Sequence, residues 1–154
     1  TQSAAVNNNL GTLVANPTSV TYKAGNVGAT SNATFTLTNT SDWGTTINSV
    51  TLPNNSGYTS SINCGGQTAL PYVLTKAGSC TVTVGTTFAS TAQSTTLTVG
   101  YNSSKSLNVL VNTPAGVAPT ADTDKGSIAF GTFNVSSSSG NSQVVTFQTT
   151  EMQF

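Results

Sequence analysis

Few side chains in this chain of 154 residues are equipped for acid–base or nucleophilic chemistry. It has no histidine, and its only carboxylates are Asp42, Asp122, Asp124 and Glu151. A general acid or base must be held within hydrogen-bond reach of the proton that it transfers. No two of these acids fall within the stretches that we predict to be strands, where a rigid pair could be held. The sequence therefore predicts a protein that is not an enzyme and that uses no cofactor.

Asp122 and Asp124 form the sharpest polar cluster. They are spaced D-x-D before Gly126, so their oxygens could bind one Ca²⁺. A calcium ion takes about six to eight oxygen ligands, however, and Lys125 brings an opposing charge to the same turn. We favour a solvated turn, and a weak calcium site at Asp122 and Asp124 is the alternative.

The two cysteines, Cys64 and Cys80, are the only possible partners for an intramolecular disulfide. Neither has a basic neighbour in the sequence that would lower its thiol pKa. In a chain rich in predicted strands and poor in charge, two cysteines favour a disulfide and an oxidising compartment. Two free buried thiols are the alternative. A bond would close a loop of about 15 residues, which the chain-entropy model values at roughly 3 kcal/mol.

Aromatic side chains offer a different chemistry, the stacking of sugar rings. The candidates are Trp43, Tyr58, Tyr72 and Tyr101. Trp43 lies in a short connection, where an aromatic ring either caps the end of the core or binds a ligand. We favour the cap for Trp43 and a core position for Tyr101, which is in phase with Leu97 and Val99.

Composition excludes one class of partner. Charged residues make up 5% of the chain and the net charge is zero, so the basic surface that a nucleic-acid-binding protein needs is missing. No run of 18 apolar residues exists, so we predict no membrane-spanning helix. The polar surface must consist largely of Ser, Thr, Asn and Gln.

The elements that position these residues are predicted to be strands. In the stretch 79–84, Cys80, Val82 and Val84 alternate with Thr81 and Thr83, which is the period of a strand with one buried face. Further strands are predicted at 10–15, 19–23, 32–39, 46–52, 95–101 and 107–111. The strand at 46–52 changes phase after Ile47, which a β-bulge would reconcile. No window shows a helical period.

Short strands that recur about every 8–12 residues between Gly, Pro, Asn and Ser turns predict an all-β fold, an antiparallel β-sandwich. We expect one core that includes Phe35, Leu37, Val82, Val84, Leu97 and Val109. The predicted domains are a polar N-terminal arm at 1–9, the sandwich at 10–113, a linker at 114–125 and a hairpin segment at 126–154.

The segment 126–154 echoes the start of the sandwich, with Ile128 and Phe130 in one expected strand and Val145 and Phe147 in the other. Chance likeness between Thr- and Val-rich strands is the alternative. Two strands alone are marginal in water, so the hairpin needs a cover. It could fold back, begin a second module, or pair with another subunit. The last option, which we favour, predicts a homo-oligomer or fibre built through strand pairing.

The order of several motifs is more specific than composition. Within 10–113 they are NPTSVTYxxGNVGxTS, TFTLTNT, IxSVTL, CGG, AGSCTVTV and LTV. This order resembles bacterial immunoglobulin-like modules of the choice-of-anchor D type, which are related to abnormal-spindle and hydin domains. The resemblance implies an immunoglobulin-like β-sandwich, pairing of Cys64 with Cys80, and tandem modules in secreted or surface proteins.

Two functions follow as hypotheses. The first is a non-catalytic structural or adhesive module, extracellular or on the cell surface, that forms part of a fibre or of a repeated surface protein. The second is a carbohydrate-binding module of a secreted enzyme or adhesin, with a glycan as partner and Trp43 as the candidate contact.

Overall fold

The computed structural model describes residues 8–119 with their side chains, and 133–136 and 142–145 as backbone. The described elements are all strands: β1 (Leu13–Asn16), β2 (Ser19–Thr21), β3 (Thr30–Asn39), β4 (Thr45–Thr51), β5 (Tyr58–Asn63), β6 (Tyr72–Leu74), β7 (Ser79–Thr87), β8 (Gln93–Tyr101), β9 (Lys105–Thr113), β10 (Phe133–Ser136) and β11 (Ser142–Val145). No helix that could span a membrane occurs among these residues.

The first sheet has four antiparallel strands in the order β1-β3-β7-β5. The strand predicted at 79–84 is part of β7, which lies between β3 and β5. The register places Phe35 opposite Val82 and Leu37 opposite Cys80, so that apolar side chains of neighbouring strands share one face. Cross-strand pairs of this kind are the main source of stability in a sheet.

The second sheet has five strands in the order β2-β9-β8-β4-β6. Its pairs are antiparallel except for β2 and β9, which run parallel, a departure from the purely antiparallel sandwich expected from the sequence. The reason is that β1 and β2 are one extended segment, broken at Asn16–Pro17, that changes from the first sheet to the second. The predicted bulge in β4 is confirmed, because the register with β8 shifts between Ile47 and Ser49.

The core lies between the two sheets. All six core residues predicted from the alternation are at most 1% exposed, and they come from β3, β7, β8 and β9. Tyr22 and Phe88 close one end of the core with an edge-to-face ring contact, 6.4 Å between centroids. The two-sheet, all-β sandwich of the immunoglobulin-like type is therefore confirmed.

The chain reaches this sandwich at one end and leaves it at the other. At the first end, Gly11 N donates to Gly44 O (3.0 Å) and Thr46 Oγ1 donates to Asn8 O (2.7 Å). We call this end, formed by the loops 9–11, 40–44, 75–78 and 102–104, the Trp43 end. At the opposite end, Val117 N donates to Gly25 O (2.8 Å) and Gly116 N to Ala89 O (2.7 Å). We call it the Val117 end. The sheets separate the two ends by roughly 30 Å, the length of a strand of nine or ten residues.

The chain divides into two compact units, Thr1–Ala118 and Pro119–Phe154. In the second unit, β10 pairs antiparallel with β11, and Phe133 lies opposite Val145. The predicted positions Ile128, Phe130 and Phe147 lie outside the described residues, as do Asp122 and Asp124. The finer domain boundaries, including the linker 114–125, stay predictions.

Candidate functional site

The loops of the Trp43 end are organised around one buried amide. Asn39 is fully buried, and its Nδ2 donates to the carbonyl oxygens of Trp43 (2.7 Å), Leu74 (3.0 Å) and Thr75 (3.2 Å). Its Oδ1 accepts hydrogen bonds from Ser41 N (3.0 Å) and Ser41 Oγ (2.7 Å). A buried amide is stabilising only when its donors and acceptor are satisfied, and here both are. Asn39 thus holds the loop that carries Trp43 against the end of β6.

A second buried asparagine fixes the N-terminal approach to the same end. Asn102 Nδ2 donates to Gly11 O (2.8 Å), and Asn102 Oδ1 accepts from Thr46 N (3.0 Å). Asn102 has a φ of 48°, a conformation that asparagine adopts more readily than most residues. Gly11 is required here because a Cβ on it would lie 1.9 Å from Thr45 Oγ1 and 2.7 Å from Trp43 O. Side-chain amides therefore join the loops of the Trp43 end.

The surface of this end combines an aromatic ring with an ion pair. The Trp43 side chain is 53% exposed, and Leu10, which precedes Gly11, is 54% exposed. Asp42 and Lys76 form an ion pair between the two loops that Asn39 joins. The hydrogen bond and the charge of Lys76 lower the pKa of Asp42, and Asp42 raises the pKa of Lys76 in the same way. An exposed ring beside polar groups is the arrangement that can stack on a sugar and hydrogen-bond its hydroxyls.

The disulfide lies within the first sheet. Cys64 directly follows β5 and is bonded to Cys80 of β7, the strand beside it, and both residues are buried. The bond joins an edge strand to the centre of its sheet. Its role is structural, since a buried disulfide without thiols offers no nucleophile.

The other aromatic candidates are not free for binding. Tyr58 is buried, and its hydroxyl shares a hydrogen bond with Thr113 Oγ1 (2.7 Å). Tyr72 and Tyr101 pack against the core and are half-buried. Tyr22 is buried as well, and its hydroxyl donates to Val84 O (2.5 Å). Among the four aromatic candidates, Trp43 alone presents an exposed ring.

A groove of about 380 Å³ lies near the Val117 end of β2, β8 and β9. The residues that line it are uncharged: Thr21, Ala92, Gln93, Ser94, Asn112, Thr113 and Pro114. These side chains can hydrogen-bond a ligand but cannot transfer a proton near neutral pH. In the part of the chain that the structure describes, no cluster of three or more His, Cys, Asp or Glu residues could hold a metal ion.

Sequence reasoning missed the two organising residues. Asn39 continues the inward phase of Phe35 and Leu37, so a polar residue at a core position was a signal that pointed to it. Asn102 carried no such signal, since asparagine is common in hairpin turns for local reasons. Its bond to Gly11 spans 91 residues and only the folded chain reveals it.

By sequence, no family profile and no curated protein matches the chain. Among solved structures, a protein of unknown function from Porphyromonas gingivalis W83 matches with a TM-score of 0.52 and 15% identity, over 71% of this chain and 50% of that one. At this identity the likeness is one of fold alone.

Two further matches are more distant. The ASH/PapD-like domain of human CEP192 gives a TM-score of 0.49 at 10% identity, over 74% of this chain and 89% of that one. Domains 4 and 5 of the S-layer protein SbsC give 0.45 at 26%, over 68% and 51%. The chain spans about half the length of the Porphyromonas and S-layer structures. Membership of the choice-of-anchor D type stays a prediction.

Proposed function

We propose that this chain is a non-catalytic, extracellular structural or adhesive module that forms part of a surface fibre or of a repeated surface protein. The observation that carries the proposal is that the chain enters and leaves the sandwich at opposite ends. The chain is anchored by Asn8 and Gly11 at the Trp43 end and by Gly116 and Val117 at the Val117 end. A module that receives its chain at one end and releases it at the other suits copies or repeats joined in line.

Two other features support this function. The buried Cys64–Cys80 bond is typical of proteins from an oxidising compartment, which agrees with a location outside the cell. The short β10–β11 pair is marginal in water by itself. A marginal hairpin gains stability by adding to the sheet of a neighbouring copy, and a contact of this heterologous kind continues into a filament.

Electron microscopy of the full chain at high concentration tests the proposal. We expect filaments, and we expect them to be lost in Val145→Pro, because proline removes a backbone donor from β11 and disfavours its pairing with β10. Deletion of 126–154 should have the same effect. The circular dichroism spectrum of the sandwich should stay unchanged in both variants. Filaments that persist in both variants would show that the hairpin is not the connector, and a full chain without filaments would refute the fibre.

The exposure of Trp43 favours carbohydrate binding as a second candidate function. The ring is exposed on a loop fixed by Asn39, and the preceding residue, Asp42, forms an ion pair with Lys76. A glycan array with the wild type, Trp43→Ala and Leu10→Ala tests it. Binding that is lost in Trp43→Ala and kept in Leu10→Ala would support a sugar platform. Equal losses would indicate general apolar adhesion, and no binding by the wild type would exclude the glycans on the array.

A further inference from the structure

The sandwich has four sheet edges, and three of them are poorly suited to pairing. β1 has four residues, and β2 and β6 have three each. Pro17 lies between β1 and β2, and Pro71 directly precedes β6. Short edge strands next to proline are a common protection against edge-to-edge association, because few consecutive backbone groups are open to a partner.

The fourth edge, β5, lacks this protection. It has six residues without proline or charge, and its register with β7 is unbroken from Tyr58–Thr86 to Asn63–Thr81. The Cys64–Cys80 bond ties its C-terminal end to β7, so the strand is held in place as an edge. A regular, uncharged and fixed edge presents a row of backbone donors and acceptors to an added strand.

Ser60, in the middle of β5, shows where the sandwich is open. Tyr58 and Ile62, which share its face of the sheet, are buried, and its cross-strand neighbour Val84 is fully buried. Ser60 itself is exposed although it faces the same side. The inner face of β5 is therefore open to solvent at Ser60, although the core residues around it are buried, and a strand added at this edge would cover it.

We propose that this edge pairs antiparallel with β5 of a second copy of the chain, with the two strands centred on Ser60. In this register Ser60 lies opposite Ser60 of the second copy, Tyr58 opposite Ile62, and Thr59 opposite Ser61. Every pair then has its side chains on the same face, as antiparallel pairing requires. An aromatic residue opposite a β-branched one and Thr opposite Ser are favourable cross-strand pairs. With no charge in β5 and zero net charge on the chain, repulsion between the copies is small.

The self-complementary sequence favours a second copy over an unrelated strand. The contact is isologous and closes as a dimer. It joins the four-stranded first sheet of one copy to that of the other, which gives one sheet of eight strands. The contact does not involve β10 or β11, so this proposal can be refuted without refuting the fibre proposed above, and the reverse also holds.

The first experiment measures the dissociation constant of the full chain by sedimentation, with Ser60→Lys and Ser61→Lys as a matched pair. In Ser60→Lys two ammonium groups meet across the two-fold axis on the covered face, so we expect dimerisation to weaken at least about tenfold. In Ser61→Lys the charge stays in water on the outer face, and we expect a change of less than about threefold. Both variants should keep the wild-type thermal midpoint to within a few degrees.

The second experiment tests the register by cysteine cross-linking of the full chain. Ser60→Cys brings two thiols opposite each other across the axis, at Cβ distances near those of a disulfide. We expect a covalent dimer on mild oxidation, and far less of it in Ser61→Cys, whose thiols lie on a diagonal. The proposal is overturned by a wild type that stays monomeric at millimolar concentration, by a dimer that survives in Ser60→Lys, or by cross-linking in Ser61→Cys but not in Ser60→Cys. Dimerisation lost on deletion of 126–154 but kept in Ser60→Lys would assign the contact to the hairpin and also overturn it.

Discussion

At the scale of single residues, side-chain amides in this protein join distant loops, a role that charged groups often have in other proteins. Asn39 and Asn102 each join loops that are far apart in the sequence, and each is buried. A neutral amide loses less solvation on burial than an ion, and it offers both donors and an acceptor. The folded loops of the Trp43 end therefore depend on two side chains with no charge.

Replacing Asn39 with alanine should be strongly destabilising. The change removes the donor that the carbonyl groups of Trp43, Leu74 and Thr75 share, and a buried group left without a partner costs about 1–3 kcal/mol. Trp43 O keeps a hydrogen bond from Ser41 Oγ (3.0 Å) and Thr75 O keeps one from Gly78 N (2.9 Å), so the cost falls mainly on Leu74 O and on the links between the loops. We expect urea unfolding to show a loss of about 3 kcal/mol. Asn108→Ala is the control, because Asn108 is exposed and its side chain accepts a single exposed hydrogen bond, from Thr98 Oγ1 to Asn108 Oδ1. It should cost less than about 0.5 kcal/mol. Similar costs for both variants would show that Asn39 does not organise the loops.

Tyr22 should make the protein sensitive to alkaline pH. Burial, with a smaller contribution from the nearby Tyr58, raises the pKa of Tyr22 to about 12 from its ordinary value of 10.0. The folded state thus disfavours the phenolate. The protonated Tyr22 side chain therefore contributes fully to the stability of the fold below pH 10, and this contribution is lost as the pH rises from 10 through about 12. The loss reaches about 3 kcal/mol at full ionisation.

Urea unfolding at a series of pH values, together with the phenolate absorbance of the folded protein, measures this effect. Tyr22→Phe should be less stable at neutral pH, since the Val84 carbonyl loses its donor, but its stability should fall less between pH 10 and 12. A variant whose alkaline loss matches the wild type would show that another group is responsible.

At the scale of elements, the first sheet depends on how its edge strand β5 is held. On one side β5 pairs with β7, and at its C-terminal end the disulfide joins the same two strands. The crosslink closes a loop that includes the whole of β6 and the change from one sheet to the other. Removing it should loosen β5 before the centre of either sheet.

Mass spectrometry of the unreduced protein should show a mass lower by two hydrogen atoms than that of the reduced chain. With a sequence separation of 16, reduction should lower the free energy of unfolding by roughly 3 kcal/mol. The double variant Cys64→Ala/Cys80→Ala should be insensitive to reductant. Two alkylated thiols in protein unfolded without reductant would contradict the crosslink.

At the scale of the whole molecule, low charge leaves packing and hydrogen bonding as the main sources of stability. The complete sequence has four lysines and four acids, and the one ion pair among residues 8–119 has both side chains more than 70% exposed. Exposed pairs of this kind contribute about 0–1 kcal/mol and are screened by salt.

The stability should therefore hardly depend on ionic strength. We expect the urea-derived free energy of unfolding to change by less than about 0.5 kcal/mol between roughly 0.05 and 0.5 M sodium chloride. The free energy of unfolding of Asp42→Asn should show the same weak dependence on sodium chloride. A steep dependence in the wild type that disappears in Asp42→Asn would show that the ion pair at the Trp43 end stabilises the fold after all.

The sequence alone determined most strands of the sandwich, with their inward faces, and the bulge in β4, whereas it did not predict β5 and β6. These features are local: alternation with a period of two decides which side chains leave water, and a change of phase within seven residues of β4 signals an extra residue. The sandwich followed because strands with one apolar face must cover it with a second sheet. Even Asn39 lay in the pattern, as a polar residue at an inward position.

Only the tertiary structure decided which strands are neighbours and which edges stay open. The parallel pairing of β2 with β9, the bond from Asn102 to Gly11 and the exposure of Ser60 each depend on segments far apart in the chain. Such pairings depend on how the whole chain shares its backbone hydrogen bonds, and a Thr- and Ser-rich strand has nearly the same local pattern at an edge as at the centre of a sheet. Burial follows from local alternation, whereas the choice of neighbouring strands, and with it the choice of the edges that stay open, follows from the arrangement of the whole chain.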